Sequence, residues 1–164
     1  MKLEKLEVKA NFAISDTGEI TGLAWFYGEP DSVGDTIVKG AFGAIAENLP
    51  ILFQHSPADL IGTWTEIKEG PDGLQVKGQL HLDHLRARTV FAMLKNKLVD
   101  GLSIGFRTKQ ATKQGRKRVI TALDLAEISV VRDPAHPRAR ISSAKEYDAA
   151  LAVAAAIREF TANL

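Results

Sequence analysis

The sequence predicts a mainly β domain accompanied by helices, on three observations. Apolar runs of strand length recur at residues 20–27, 51–53, 60–67, 73–82, 102–106 and 119–131, separated by clusters of Gly, Pro, Asp and Ser. Alternation at Leu74, Val76, Gly78 and Leu80 is the pattern of an antiparallel strand with one covered face. Helical spacing is confined to a short candidate at 43–48, a clear internal segment at 85–98 and the alanine-rich stretch 144–164. At 164 residues the chain supports one domain with a proper core plus a tail.

Composition excludes several classes. With 45% hydrophobic and 25% charged residues the chain falls among soluble globular proteins. A net charge of +1 leaves no basic footprint, so no specific nucleic-acid partner is expected. The absence of cysteine removes disulfides, thiolate nucleophiles and cysteine-ligated zinc. Residues 1–10 lack the apolar run of a signal peptide, and no segment reaches the length of a membrane span, so a soluble cytoplasmic protein is expected.

In chain order, residues 3–14 alternate like a strand entering a sheet, and Asp16-Thr17-Gly18 turns it into the strand at 20–27. Residues 51–53 form a compact strand that delivers Gln54-His55 to a loop, a position where function tends to sit. The strands at 60–67 and 73–82 are joined by Glu69-Gly70-Pro71-Asp72-Gly73. His81 and His84 flank Asp83, but no third ligand or metalloprotease spacing accompanies them, and Asp83 is expected to cap the next helix. That helix has Leu85, Val90, Phe91, Leu94 and Leu98 on its apolar side and Arg86, Arg88, Lys95 and Lys97 on the wet side. The charged run 107–118 reads as a solvated hairpin or loop without the interleaved aromatics of a nucleic-acid site.

Gly101-Leu102-Ser103-Ile104-Gly105-Phe106 sets a hydroxyl between bulky apolar residues, with glycines on either side. On a strand, Leu102, Ile104 and Phe106 face the core while Ser103, Gly105 and Arg107 face the open side. In 119–131 the same alternation groups Glu127, Ser129 and Val131, and a carboxylate in so apolar a stretch needs a partner. Ser103, His55 and Glu127 are the three side chains that acyl transfer requires: a hydroxyl, an imidazole to take its proton, and a carboxylate to fix the imidazole. Each also has a purely structural reading, and spacing alone does not bring them together.

Several separated segments, in common order, carry a resemblance over about residues 11–141. They are Asp35-Thr36-Ile37-Val38-Lys39-Gly40-Ala41-Phe42, Leu49-Pro50-Ile51-Leu52-Phe53-Gln54-His55 with Ile61-Gly62, the Ser103 segment, and Leu125-Ala126-Glu127-Ile128-Ser129-Val130-Val131 with Pro134-Ala135-His136-Pro137-Arg138-Ala139. Together they resemble the prohead (procapsid maturation) serine protease family of tailed bacteriophages, related in fold to the herpesvirus assembly proteases. The family signature commonly has asparagine at the place of His136, and a more polar or varied residue at that of Phe53.

The resemblance implies an antiparallel β-barrel core like that of the herpesvirus proteases, surrounded by helices. Residues 1–143 would be the protease domain and 144–164 a helical tail for dimerisation or scaffold linkage. Ser103 would be the nucleophile, His55 the general base and Glu127 the third member, with His136 or His81 as alternatives because the herpesvirus relatives use a second histidine. Backbone N–H groups around Arg132, and its guanidinium, are assigned to the oxyanion, and Gly105 to clearance for a substrate strand. No cofactor or metal is implied. The substrates would be the major capsid protein, the scaffold protein and the chain itself, cut by a homodimer inside the assembling procapsid in the bacterial host cytoplasm. A noncatalytic virion assembly or scaffold-binding module on the same fold and a small-ester hydrolase are the competing readings.

Overall fold

In a computed structural model the chain is described over residues 2–9 and 12–132. Its elements are β1 (Glu4–Lys9), β2 (Phe12–Ile14), β3 (Glu19–Phe26), β4 (Asp35–Ile37), β5 (Pro50–Phe53), β6 (Ser56–Glu69), β7 (Gly73–Leu80), α1 (Leu85–Lys95), β8 (Gly101–Gln114) and β9 (Lys117–Val131). They form one sheet in the order β1-β8-β9-β5-β6-β7-β3-β2, with β4 added along β9.

The mainly β architecture follows the sequence pattern, but three expectations change. The sheet is mixed, not antiparallel throughout, because β4 and β5 both run parallel to β9. Among the described residues its path is open, without the hydrogen-bonded closure of a barrel. One helix, α1, is present among the described residues in place of a surround of helices. The expected tail helix at 144–164 lies outside the described residues.

The long hairpin β8–β9 is the spine of the fold. Gln114 pairs with Lys117, and Gly115 takes φ 66° at the first position of the two-residue connection, as a type II′ turn requires. The outer half carries the charged run and is exposed, with Lys109 paired to Asp124 at 2.5 Å. The inner half, 101–106, is buried on both faces, so Ser103 is not on an open face: it is 0% exposed.

The core gathers Ile20, Trp25, Phe42, Ile51, Ile61, Trp64, Leu74, Leu80, Leu102, Ile104, Phe106 and Ile128. Trp64 Nε1 donates to the Ile128 carbonyl at 3.0 Å, tying β6 to β9 through an otherwise apolar interior.

The short helix expected at 43–48 is instead irregular chain ending in a turn at 47–48, and Gly43 and Asn48 adopt φ 56° and 55°, outside the helical region. Asp83 does not cap α1: the N-cap is His84 and makes no side-chain cap bond. The helix expected over 85–98 stops at Lys95, so Leu98 lies beyond it, and its apolar stripe is narrower than the spacing suggests. Leu85 and Leu98 are exposed, whereas Lys95 is 5% exposed and donates to Asp16 at 2.7 Å and to the Ile14 carbonyl at 3.2 Å. Its stem takes a buried position because two acceptors receive its ammonium.

Candidate active site

β5 and β6 are joined by Gln54 and His55 alone, since Phe53 pairs with Ser56. Both residues adopt left-handed φ, 54° and 60°, the signature of a type I′ hairpin turn normally built from Asn and Gly. Holding two residues with side chains there costs roughly 1–2 kcal/mol each, the kind of strain that surrounding contacts must fix in place. Gln54 supplies two of them. Its N–H donates to the Val130 carbonyl at 2.9 Å, and its Oε1 accepts the Arg132 N–H at 3.2 Å. The hairpin tip is thereby fastened to the end of β9, with His55 between.

The imidazole folds back along β9. His55 Nδ1 lies 2.5 Å from Glu127 Oε1, and the pair is almost fully buried, with side chains 7% and 9% exposed. Glu127 is delivered to this face by β9, where the pairing shifts between Gly105/Glu127 and Phe106/Leu125, a bulge of the kind that re-aims a side chain. The other carboxylate oxygen, Oε2, accepts the Ser129 hydroxyl at 2.5 Å. Both oxygens of a buried carboxylate thus have donors, which is what its desolvation demands.

Ser103 sits on the same face. It lies directly opposite Ser129, while Gly105 lies opposite Glu127. Directly opposed Cβ atoms in an antiparallel pair are about 4.5–5.5 Å apart and diagonal neighbours about 7–8 Å. Ser103 and Glu127 stand in the diagonal relation. The fold sets His55 against Glu127, and Ser103 lies diagonally across the strand pair from that carboxylate.

The remaining predicted residues fall elsewhere. His81 follows β7 and shares a hydrogen bond of 3.1 Å with Thr63 on β6, while Glu127 occupies the Nδ1 side of His55. His136 lies outside the described residues. The Arg132 N–H, assigned to an oxyanion, is engaged by Gln54. The space beside Gly105 is filled by the Glu127 carboxyl group: a Cβ there would stand 2.8 Å from its carboxyl carbon. Among the described residues no three His, Asp or Glu side chains cluster as a metal site needs, and His81 and His84 stand 6.2 Å apart ring to ring. No helix among the described residues is long and apolar enough to cross a membrane.

Two residues of the site were not assigned a role by the sequence. Ser129 was visible as sharing a face with Glu127, and Gln54 as the neighbour of His55. What singles them out is pairing and turn geometry, which only the folded chain supplies.

A buried imidazole–carboxylate pair thus lies beside a strand serine on a mixed sheet, with one helix among the described residues. Residues 4–152 match the family model of the caudovirus prohead serine protease, and the chain belongs to that family. It is 33% identical over 139 residues to the prohead protease of Enterobacteria phage HK97, covering 80% of this chain and 62% of the relative. It is also 34% identical over 152 residues to the capsid polyprotein of Pseudomonas phage PAJU2, covering 87% of this chain and 22% of that one. The chain therefore spans less than two thirds of either curated relative. The fold is similar to the capsid assembly protease of bacteriophage T4, at a TM-score of 0.54 and 11% identity, covering 82% of this chain and 100% of that one.

Proposed function

We propose that this chain is a serine endopeptidase of procapsid maturation, with Ser103 as nucleophile, His55 as general base and Glu127 as the third member. The observation that carries the reading is the 2.5 Å contact between His55 Nδ1 and Glu127 Oε1, on the face where β8 presents Ser103. With Nδ1–H donated to the carboxylate, Nε2 is the basic nitrogen.

Ser103 Oγ would attack the peptide carbonyl as His55 Nε2 takes its proton. The same imidazole returns that proton to the leaving amine, giving an acyl-enzyme. Water, deprotonated by His55, then releases the carboxylic acid product and regenerates Ser103. Glu127 keeps the imidazole in the required tautomer and balances its charge when protonated. An oxyanion contact from the Arg132 region requires Gln54 Oε1 to release the Arg132 N–H or to leave its neighbours to the task.

Family membership and the phage relatives support substrates among the capsid proteins, with the major capsid protein, the scaffold and the chain itself proposed as targets. The proposed setting is the assembling procapsid in the bacterial host, and the proposed assembly a homodimer through the tail. Residues 1–143 are the proposed protease domain. A herpesvirus-type barrel is proposed with it only as closure by packing, without a hydrogen-bonded seam, supported by the approach of β3, next to the β2 edge, to β8 and β1.

Co-expression with the capsid or scaffold protein tests the reading. The native chain is expected to produce defined fragments, and Ser103→Ala and His55→Ala none. Equal cleavage by all three overturns the mechanism. Absence of cleavage by all three, with co-purification of the partner, favours the noncatalytic assembly module.

A further inference from the structure

We propose that Ser129 is a positioning residue of this site: its hydroxyl fixes one oxygen of Glu127 so that the other is held on Nδ1 of His55. The inference rests on the serine-hydrolase reading of Ser103, His55 and Glu127 and assigns a further residue to it.

Three observations converge on Ser129. It is 0% exposed, in a strand segment otherwise lined by Ile128, Val130 and Val131, where a hydroxyl is retained only with a partner. That partner is Glu127 Oε2 at 2.5 Å, the oxygen not used by His55. Residues two apart on a strand share a face, and the distance is within the range of a hydroxyl donating to a carboxylate. Ser129 also lies directly opposite Ser103, which places its role at the centre of the face and not at its rim.

Without this donor a carboxylate on a flexible glutamate can rotate about its last torsions. Either oxygen, or neither, would then meet the imidazole. Glu127 has one more methylene than an aspartate in the same role, so it has more to restrain. Gly105 closes the cradle from the opposite strand, leaving just enough room for the carboxyl group to lie across β8. Ser129 acts on the reaction through Glu127 and not on the substrate.

The test reads the nucleophile directly, by the rate at which a fluorophosphonate probe labels Ser103. Ser103 Oγ forms the new bond to phosphorus, fluoride leaves, and His55 accepts the hydroxyl proton. Ser129→Ala is expected to slow labelling about 10- to 100-fold, the worth of a hydrogen bond to a charged group, and to lower the thermal midpoint because one oxygen of a buried carboxylate loses its donor. Ser129→Thr, which keeps the hydroxyl, should stay within about threefold of the native rate. The decisive comparison is a cycle with Glu127→Ala. If Ser129 works through the carboxylate, adding Ser129→Ala to Glu127→Ala changes the rate by less than about twofold.

Labelling of Ser129→Ala at the native rate overturns the proposal, and so does the same further loss in the Glu127→Ala background, which would mark a general structural effect. A native chain that takes no label, or is labelled equally with Ser103 replaced, overturns the serine-hydrolase reading beneath it. Should Ser129→Ala fail to fold, a native rate in a folded Ser129→Gly chain overturns the proposal, and a slowed rate supports it.

Discussion

Gly105 and Glu127 face each other across the β8–β9 pair, and the missing side chain of the first is the space in which the carboxyl group of the second lies. A Cβ at residue 105 would stand 2.8 Å from the Glu127 carboxyl carbon and 2.9 Å from its Cγ, inside the closest approach that packed side chains show. From the sequence, this glycine is expected to give clearance to a substrate strand. In the fold its first neighbour is the acid.

Gly105→Ala is therefore expected to displace Glu127 from His55. The neighbour that must move is a side chain, so the sheet should survive, at a cost of about 1–3 kcal/mol for overpacking. Activity should fall much further, by about 10²-fold or more, as befits a misplaced catalytic group. Urea unfolding and cleavage of a capsid substrate, measured side by side, check this. A variant with native turnover would return Gly105 to a role elsewhere on the strand.

Glu127→Gln tests the acid itself. The amide is close in shape, yet it can present an N–H to Nδ1 and so leave the wrong nitrogen of His55 protonated. A loss in kcat of about 10³- to 10⁴-fold is expected, on the precedent of the same exchange in the Ser-His-Asp template. Near-normal turnover would move the third role to His136, His81 or water.

How far the sequence reveals such a site depends on which relations are local. Strand alternation is local, so Ser103, Glu127 and the apolar neighbours of each are legible from spacing. His55 at the mouth of a strand is legible too, from the apolar run before it and the turn after it. The left-handed pair Gln54-His55 is not, because neither residue advertises that conformation. The parallel docking of β5 on β9 joins segments far apart in the chain, and no local pattern encodes it. The charge of Lys95 points to solvent, and its burial depends on a carbonyl and a carboxylate from the β2–β3 corner. The Ser129 hydroxyl is likewise ordinary until Glu127 turns toward it.

Arg118 fastens the β1 end of the sheet to its middle. From β9 it pairs with Glu4 on β1 and with Asp35 on β4, and these two partners push its own proton affinity further up, Asp35 most. In return the Arg118 bond holds the Glu4 carboxyl below its ordinary 4.5. A carboxylate depressed in the fold adds stability that is fully present above its unfolded pKa and is lost as pH falls through the folded one. Arg118→Met is expected to cost about 2–3 kcal/mol at pH 7, since it leaves the buried Asp35 unpaired. It should also flatten the loss of stability below pH 4.5. Hydrogen exchange should show the backbone of β8 opposite β1 opening more readily in the variant. Unchanged exchange with an unchanged acid slope would separate the cluster from the hold on β1.

Asp31 runs the other way. Its Oδ1 accepts the N–H groups of Val33 at 3.0 Å and Asp35 at 2.7 Å, closing the turn before β4, but Oδ2 is buried and accepts no hydrogen bond. Burial raises its pKa above the ordinary 3.8, and the nearby Asp35 adds to that, against the lowering effect of the backbone donors. A carboxyl raised in the fold gives its full stability below the unfolded pKa and loses it as pH climbs through the folded one. Asn at this position keeps the Oδ1 acceptor and removes the charge. The native chain's advantage over Asp31→Asn should thus be greatest at and below about pH 3.8 and shrink toward neutrality. Urea midpoints of the two chains across pH 3.5 to 7 check the sign, and a gap that widens with rising pH would mean that the turn depends on the charge of Asp31 and not on its geometry.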